Sequence, residues 1–158
     1  MLKAGDLVPD FDLPALIGGV KKRLHLAEWL GKRDIVLAFY PSNWEPVSAQ
    51  QMVAFQAELA RLQSRGTELA AICVDSIMNT TVWERDIGPF DFPLCSDFWP
   101  HGEVSRRYGV LREREPFAGA SERAIFLVDR SGRVASANGY PLSKAPDLGE
   151  LFEILTRK

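Results

Sequence analysis

Few side chains along this sequence can act as nucleophiles or redox centres. There are two cysteines, Cys73 and Cys95, 22 residues apart. That spacing fits neither a zinc site nor a C-x-x-C redox pair, so the plainest reading is two reduced, buried thiols acting as small hydrophobes. Cys73 lies inside the apolar run Leu69-Ala70-Ala71-Ile72-Cys73-Val74 and reads as inert core. Cys95 ends a short strand segment before Ser96-Asp97, where the C-terminal edge of a strand can face a pocket, and it is the better candidate for a redox thiol. The groups that would lower its pKa, Arg106 and Arg107, stand further along the chain. As a hydrolase nucleophile, Ser48 lacks the flanking glycines of a nucleophile elbow in Val47-Ser48-Ala49. Neither His25 nor His101 has a spacing that predicts contact with it. Ser48 reads instead as a first-turn helix serine bonded to backbone. Two histidines without an Asp/His cluster argue against a metal site, and no cofactor is expected.

The elements that would position these residues follow from hydrophobic pattern. Ile35-Val36-Leu37-Ala38-Phe39-Tyr40 has no polar face and predicts a central strand buried on both sides. The run ending at Cys73-Val74 reads the same way, as does Ala124-Ile125-Phe126-Leu127-Val128. Between the first two strands, Met52, Phe55, Leu59 and Leu62 recur at three- and four-residue steps and make one helical stripe. Pro46 suits the first turn of that helix and Gly66 its end. Further helices are expected over about residues 80–85 and over 147–157, the latter with Leu148, Leu151, Phe152 and Leu155 on one face. Asp129-Arg130-Ser131-Gly132 is a tight turn that folds strand 124–128 back onto 133–138. The N-terminal stretch, with Pro9, Pro14 and Gly18-Gly19, reads as a short ribbon packed against the sheet. No linker, repeat or low-complexity segment interrupts residues 1–158, which predicts a single α/β domain.

Composition narrows the partners. The chain is 46% apolar and 25% charged, ordinary for a globular domain. A net charge of -2 leaves no basic footprint for nucleic acid, and the charges are interspersed apart from short clusters such as Lys21-Lys22-Arg23. No apolar run has the length of a membrane span, and Met1-Leu2-Lys3-Ala4-Gly5-Asp6 lacks the apolar stretch of a signal peptide. No membrane partner and a cytoplasmic location are therefore expected.

The segment after the first strand, Phe39-Tyr40-Pro41-Ser42-Asn43-Trp44-Glu45-Pro46-Val47-Ser48, resembles the active-site loop of the peroxiredoxin (AhpC/TSA) family. That family's motif is proline, three residues, threonine or serine, two residues, then cysteine. Pro41 holds the proline place, Glu45 the threonine place and Ser48 the cysteine place. The surroundings add weight. Gly5-Asp6-Leu7-Val8-Pro9-Asp10-Phe11-Asp12-Leu13 is similar to the family's opening, and Val74-Asp75-Ser76 followed by Trp83 to its next strand and helix. Phe92-Pro93-Leu94-Cys95-Ser96-Asp97-Phe98-Trp99-Pro100, with Tyr108-Gly109-Val110 after it, resembles the one-cysteine AhpE-like branch. Arg123 fits the family's active-site arginine. The resemblance covers roughly residues 5–140.

The resemblance implies a thioredoxin-like α/β fold, with a mixed central sheet of about five strands, helices on both faces and an N-terminal extension. By family, the activity would be thiol-dependent reduction of a small hydroperoxide. A cysteine thiolate attacks the peroxide, becomes a sulfenic acid and is regenerated by a second thiol from the protein or a reductant. Serine at 48 has no accessible anion near neutral pH and cannot pass through a sulfenic acid. Glutamate at 45 places a carboxylate where threonine would donate to the substrate, and a neighbouring negative charge opposes thiolate formation. That carboxylate could instead pair with Arg123 and fill the pocket from inside. Three readings follow: a member without peroxidase activity that acts through binding, a thiol peroxidase whose Ser48 is an engineered cysteine replacement, or redox activity through Cys95. Two departures within one short motif favour the first. A homodimer formed through the face carrying Pro41 and Trp44 is implied by family, with Trp44, Trp99 and Trp83 read as pocket wall, dimer contact and core.

Overall fold

The computed structural model describes residues 1–157. The chain opens with β1 (Asp12–Ile17) and β2 (Val20–His25), a 3-10 turn at Leu26–Glu28, then β3 (Asp34–Phe39) and α1 (Pro46–Ser64). It continues through β4 (Thr67–Cys73), α2 (Ile77–Ile87), β5 (Leu94–Ser96) and α3 (Glu103–Arg107). It closes with β6 (Arg123–Val128), β7 (Val134–Tyr140) and α4 (Leu148–Thr156). The strands form one mixed sheet in the order β2-β1-β5-β4-β3-β6-β7.

The three apolar runs are the inner strands. β3 pairs parallel with β4 and antiparallel with β6, and every residue from Ile35 to Phe39 is buried because helices or loops cover both faces. Seven strands, where about five were expected, arise because the N-terminal ribbon joins the sheet. β1 hydrogen-bonds to β5 through the pairs Ala15↔Cys95 and Leu16↔Leu94. On one face, Met52, Phe55, Leu59 and Leu62 of α1 pack with Trp83 of α2 and Leu151, Phe152 and Leu155 of α4. On the other, Phe11, Leu26, Val104 and Tyr108 cover Phe39 and Phe126, with the Tyr108 ring 5.3 Å from Phe39 and 5.5 Å from Phe126.

Local sequence sets the helix ends. Pro46 occupies the first turn of α1, where no N–H is needed. Gly66, just past its end, takes φ +69°, which a side chain would resist. α2 starts earlier than residue 80, because the Ser76 hydroxyl accepts the Asn79 amide and caps it at 3.2 Å.

Topology also gathers the site. β6 runs antiparallel to β3, with Phe39 opposite Ala124. The first residue of β6, Arg123, therefore lies at the sheet edge where β3 ends and the chain turns into α1.

Candidate functional site

The loop between β3 and α1 is fixed from below. Asn43 is buried: its amide donates to Asp75 at 2.7 Å, and its side-chain NH2 donates to Asn79 at 3.1 Å and Thr80 at 2.9 Å. Its side-chain oxygen accepts the Tyr40 hydroxyl at 2.8 Å. Trp44 follows with φ +66°, a conformation costly for a bulky residue, and its indole N–H reaches Asn79 at 3.0 Å.

Glu45 is the N-cap of α1. One carboxylate oxygen, Oε1, accepts the Val47 amide at 3.1 Å, and Oε2 accepts the Ser48 amide at 2.5 Å. These amides are among the orphan donors of the first helical turn, where a negative charge is favoured. Oε2 also accepts Arg123 Nη2 at 3.3 Å. Arg123 is 0% exposed. Its Nη1 donates to Gln51 Oε1 at 2.7 Å and to Ser48 Oγ at 3.3 Å, and its Nη2 donates to the Leu142 carbonyl at 2.9 Å. Arg123 Nε and Gln51 Nε2 find no hydrogen-bond partner among the described residues.

Partial burial raises the Glu45 pKa, but the Ser48 side chain and amide, the Val47 amide and the Arg123 charge outweigh it, so the carboxyl sits below its ordinary value of 4.5. Burial lowers the Arg123 pKa and Glu45 opposes that. A depressed folded-state pKa gives stability that is complete above the unfolded value and lost as pH falls through the folded one. A Glu45→Gln chain should therefore have a lower urea midpoint than the parent at pH 6. The gap should close progressively as pH is lowered below 4.5; a gap independent of pH would contradict the charge assignment.

Beside the ion pair opens a cavity of about 490 Å³, lined by Pro41, Trp44, Pro46, Phe117, Ala120 and Leu142 and by the polar Ser42, Asn43, Glu45, Arg123 and Ser143. Ser48 is not among the lining residues; it is wholly buried behind the pair. Pro41, Glu45, Ser48 and Arg123 are thus brought together, and the contact between Glu45 and Arg123 that the sequence left open is made.

Cys95 lies elsewhere. The expectation that its strand end faces the pocket is corrected by the register, which sets Cys95 beside Ile72 and Ala15 and buries it in the core cluster of Phe11 and Tyr108. Burial there raises its pKa. Cys73 belongs to the opposite core cluster, its Sγ donating to Asn43 Oδ1 at 3.6 Å. Its pKa is pushed up to about 12, first by burial and then by Asp75. Both thiols are held protonated and out of solvent. His25 pairs with Asp10 at 2.9 Å and the His101 ring bonds the Gly119 carbonyl at 2.6 Å, so neither contacts Ser48. Trp44 walls the cavity, Trp83 stacks on Tyr40 in the core, and Trp99 is 81% exposed.

Sequence reasoning missed Gln51, Asn43, Phe117 and the Leu142 carbonyl. Gln51 did leave a signal: it sits one helical turn after Ser48, a polar residue beside Met52 in the otherwise apolar buried face.

Fold and site together define a peroxiredoxin-type protein on a thioredoxin-like α/β scaffold. The model of the AhpC/TSA family matches residues 4–137. Alkyl hydroperoxide reductase E of Mycobacterium tuberculosis is 33% identical over 137 residues, covering 87% of this chain and 85% of that protein. Peroxiredoxin-2 of Mus musculus is 30% identical over 151 residues, covering 90% and 73%. Among solved structures, reduced 2-Cys peroxiredoxin of Plasmodium vivax superposes with TM-score 0.91 at 25% identity, covering 99% of this chain and 81% of that one. AhpC of Enterococcus faecalis gives 0.89 at 26%, covering 99% and 92%. The chain belongs to the AhpC/TSA family, whose members include thiol peroxidases.

Proposed function

We propose that this chain is a peroxiredoxin-family protein without peroxidase activity, and that it works by binding a ligand in the cavity beside Trp44 and Phe117. The observation that carries the reading is the Glu45–Arg123 pair. In a thiol peroxidase the buried arginine and the helix N-terminus serve a thiolate and a peroxide oxygen. Here the same donors are taken by an internal carboxylate, and the residue at the nucleophile position is a serine that is fully buried and not among the residues lining the cavity. The chemistry is therefore replaced by a neutralised, largely apolar recess.

The remaining thiols give no alternative route, because both are buried and hard to ionise. A homodimer through the face of Pro41 and Trp44, and a cytoplasmic setting, belong to the same reading. Two features favour them: Trp44 and Trp99 are exposed on the surface, and no helix among the described residues is long and apolar enough to cross a membrane.

The test is a brief hydroperoxide pulse with a sulfenic-acid trap present, followed by intact-mass spectrometry. The expected result is no rapid adduct at Cys73 or Cys95. A fast, stoichiometric adduct at either thiol would overturn the reading and return the chain to the peroxidases.

A further inference from the structure

We infer that the cavity takes a small organic cation, an ammonium group carried on an aromatic or aliphatic body. This rests on the reading of the cavity as a binding site and assigns the ligand's charge. A volume of about 490 Å³ suits a small molecule. Its lining is largely apolar and includes Trp44 and Phe117, 51% and 59% exposed. These two are also the non-glycine residues with positive φ among the described residues, at 66° and 67°. Unfavourable backbone is thus spent at both places on setting a ring into the same recess.

The charge follows from what each polar group has left to offer. Arg123 is fully buried, and its two terminal nitrogens are committed to Gln51, Ser48, Glu45 and the Leu142 carbonyl. Glu45 is 27% exposed, and its Oε1 accepts one bond, from Val47, while Oε2 accepts two. A carboxylate oxygen accommodates about two hydrogen bonds, so Oε1 keeps acceptor capacity on a residue that lines the cavity. A second carboxylate, Asp75, stands behind the wall, accepting from the Asn43 amide at 2.7 Å and the Ser42 hydroxyl at 3.4 Å. Within the lining Glu45 and Arg123 balance in charge, so the preference comes from Oε1, the acceptor with capacity to spare. A cation in the recess meets the aromatic residues Trp44 and Phe117 that line it and the Glu45 carboxylate. An anion of the same size meets the carboxylate, while Arg123 Nε, which has no partner among the described residues, is buried away from solvent.

Three probes of one shape decide it: benzyltrimethylammonium, benzyl alcohol and phenylacetate. Affinities come from calorimetry, and the site is read from the Trp44 indole N–H in proton–nitrogen correlation spectra, assigned by its loss in Trp44→Phe. The cation should bind about tenfold more tightly than the alcohol, with the carboxylate weakest. Glu45→Gln should abolish that preference. Phe117→Leu, which leaves the ion pair untouched, should weaken the cation more than the alcohol. Equal affinity for cation and alcohol, or a preference for phenylacetate, would overturn the charge assignment while leaving a binding pocket. If no probe shifts the Trp44 signal saturably, both the assignment and the binding reading fall.

Discussion

A Ser48→Cys chain is expected to reduce hydroperoxide slowly, and a Glu45→Thr/Ser48→Cys chain at least about tenfold faster. The single substitution puts a thiol at the first turn of α1, but the Glu45 carboxylate still occupies the Ser48 amide and Arg123. A carboxylate so close raises the thiol pKa, and each unit lowers the thiolate fraction about tenfold at neutral pH. The new sulfur would also remain behind the ion pair, as Ser48 is now. Threonine at 45 removes the charge yet keeps a side chain well suited to the N-cap. Arg123 would then take the thiolate as its anion in place of the carboxylate. Stopped-flow peroxide consumption with saturating reductant makes the comparison. Equal rates in the single and double variants would mean that Glu45 is no obstacle and that serine alone silences the site.

Replacing Glu45 by alanine should destabilise the fold by about 3 kcal/mol, well beyond the roughly 1 kcal/mol of a lost helix cap. The excess arises because Arg123 would be left as a buried guanidinium without a counter-charge. Its Nε already lacks a partner among the described residues, so little is available nearby to compensate. Adding Arg123→Met to the alanine variant should recover at least about 1 kcal/mol, since an apolar side chain of similar length needs no anion. Urea unfolding of the parent, both single variants and the double variant gives the cycle. A cost of about 1 kcal/mol for Glu45→Ala, with no recovery on adding Arg123→Met, would reduce Glu45 to a cap.

Much of this arrangement is legible in the chain. The inner strands are apolar because they are covered on both faces, and the α1 stripe, Pro46 and Gly66 obey local rules that no neighbour needed to supply. Arg123 and the loop 41–48 are recognisable through their resemblance to the AhpC/TSA family, each standing beside a strand that the hydrophobic pattern marks. What stays hidden depends on tertiary contact. α3 is five residues long, too short for a hydrophobic period to register. Phe117 and the Leu142 carbonyl come from irregular segments, and a backbone oxygen has no sequence signature. The Cys95 expectation erred for a related reason: a strand alternates its faces, and only the pairing with Ile72 decides which face a given side chain meets.

The N-terminal ribbon carries a consequence for how the molecule behaves in company. By joining the sheet it makes β2 an outer strand, whose free backbone groups could template another chain. Lys21, Lys22 and Arg23 lie on that strand, opposite Leu16, Ala15 and Pro14. Arg23 is paired with Asp12 at 2.9 Å, so an approaching strand would meet the charges of Lys21 and Lys22, and lysines on an outer strand oppose sideways growth of a sheet.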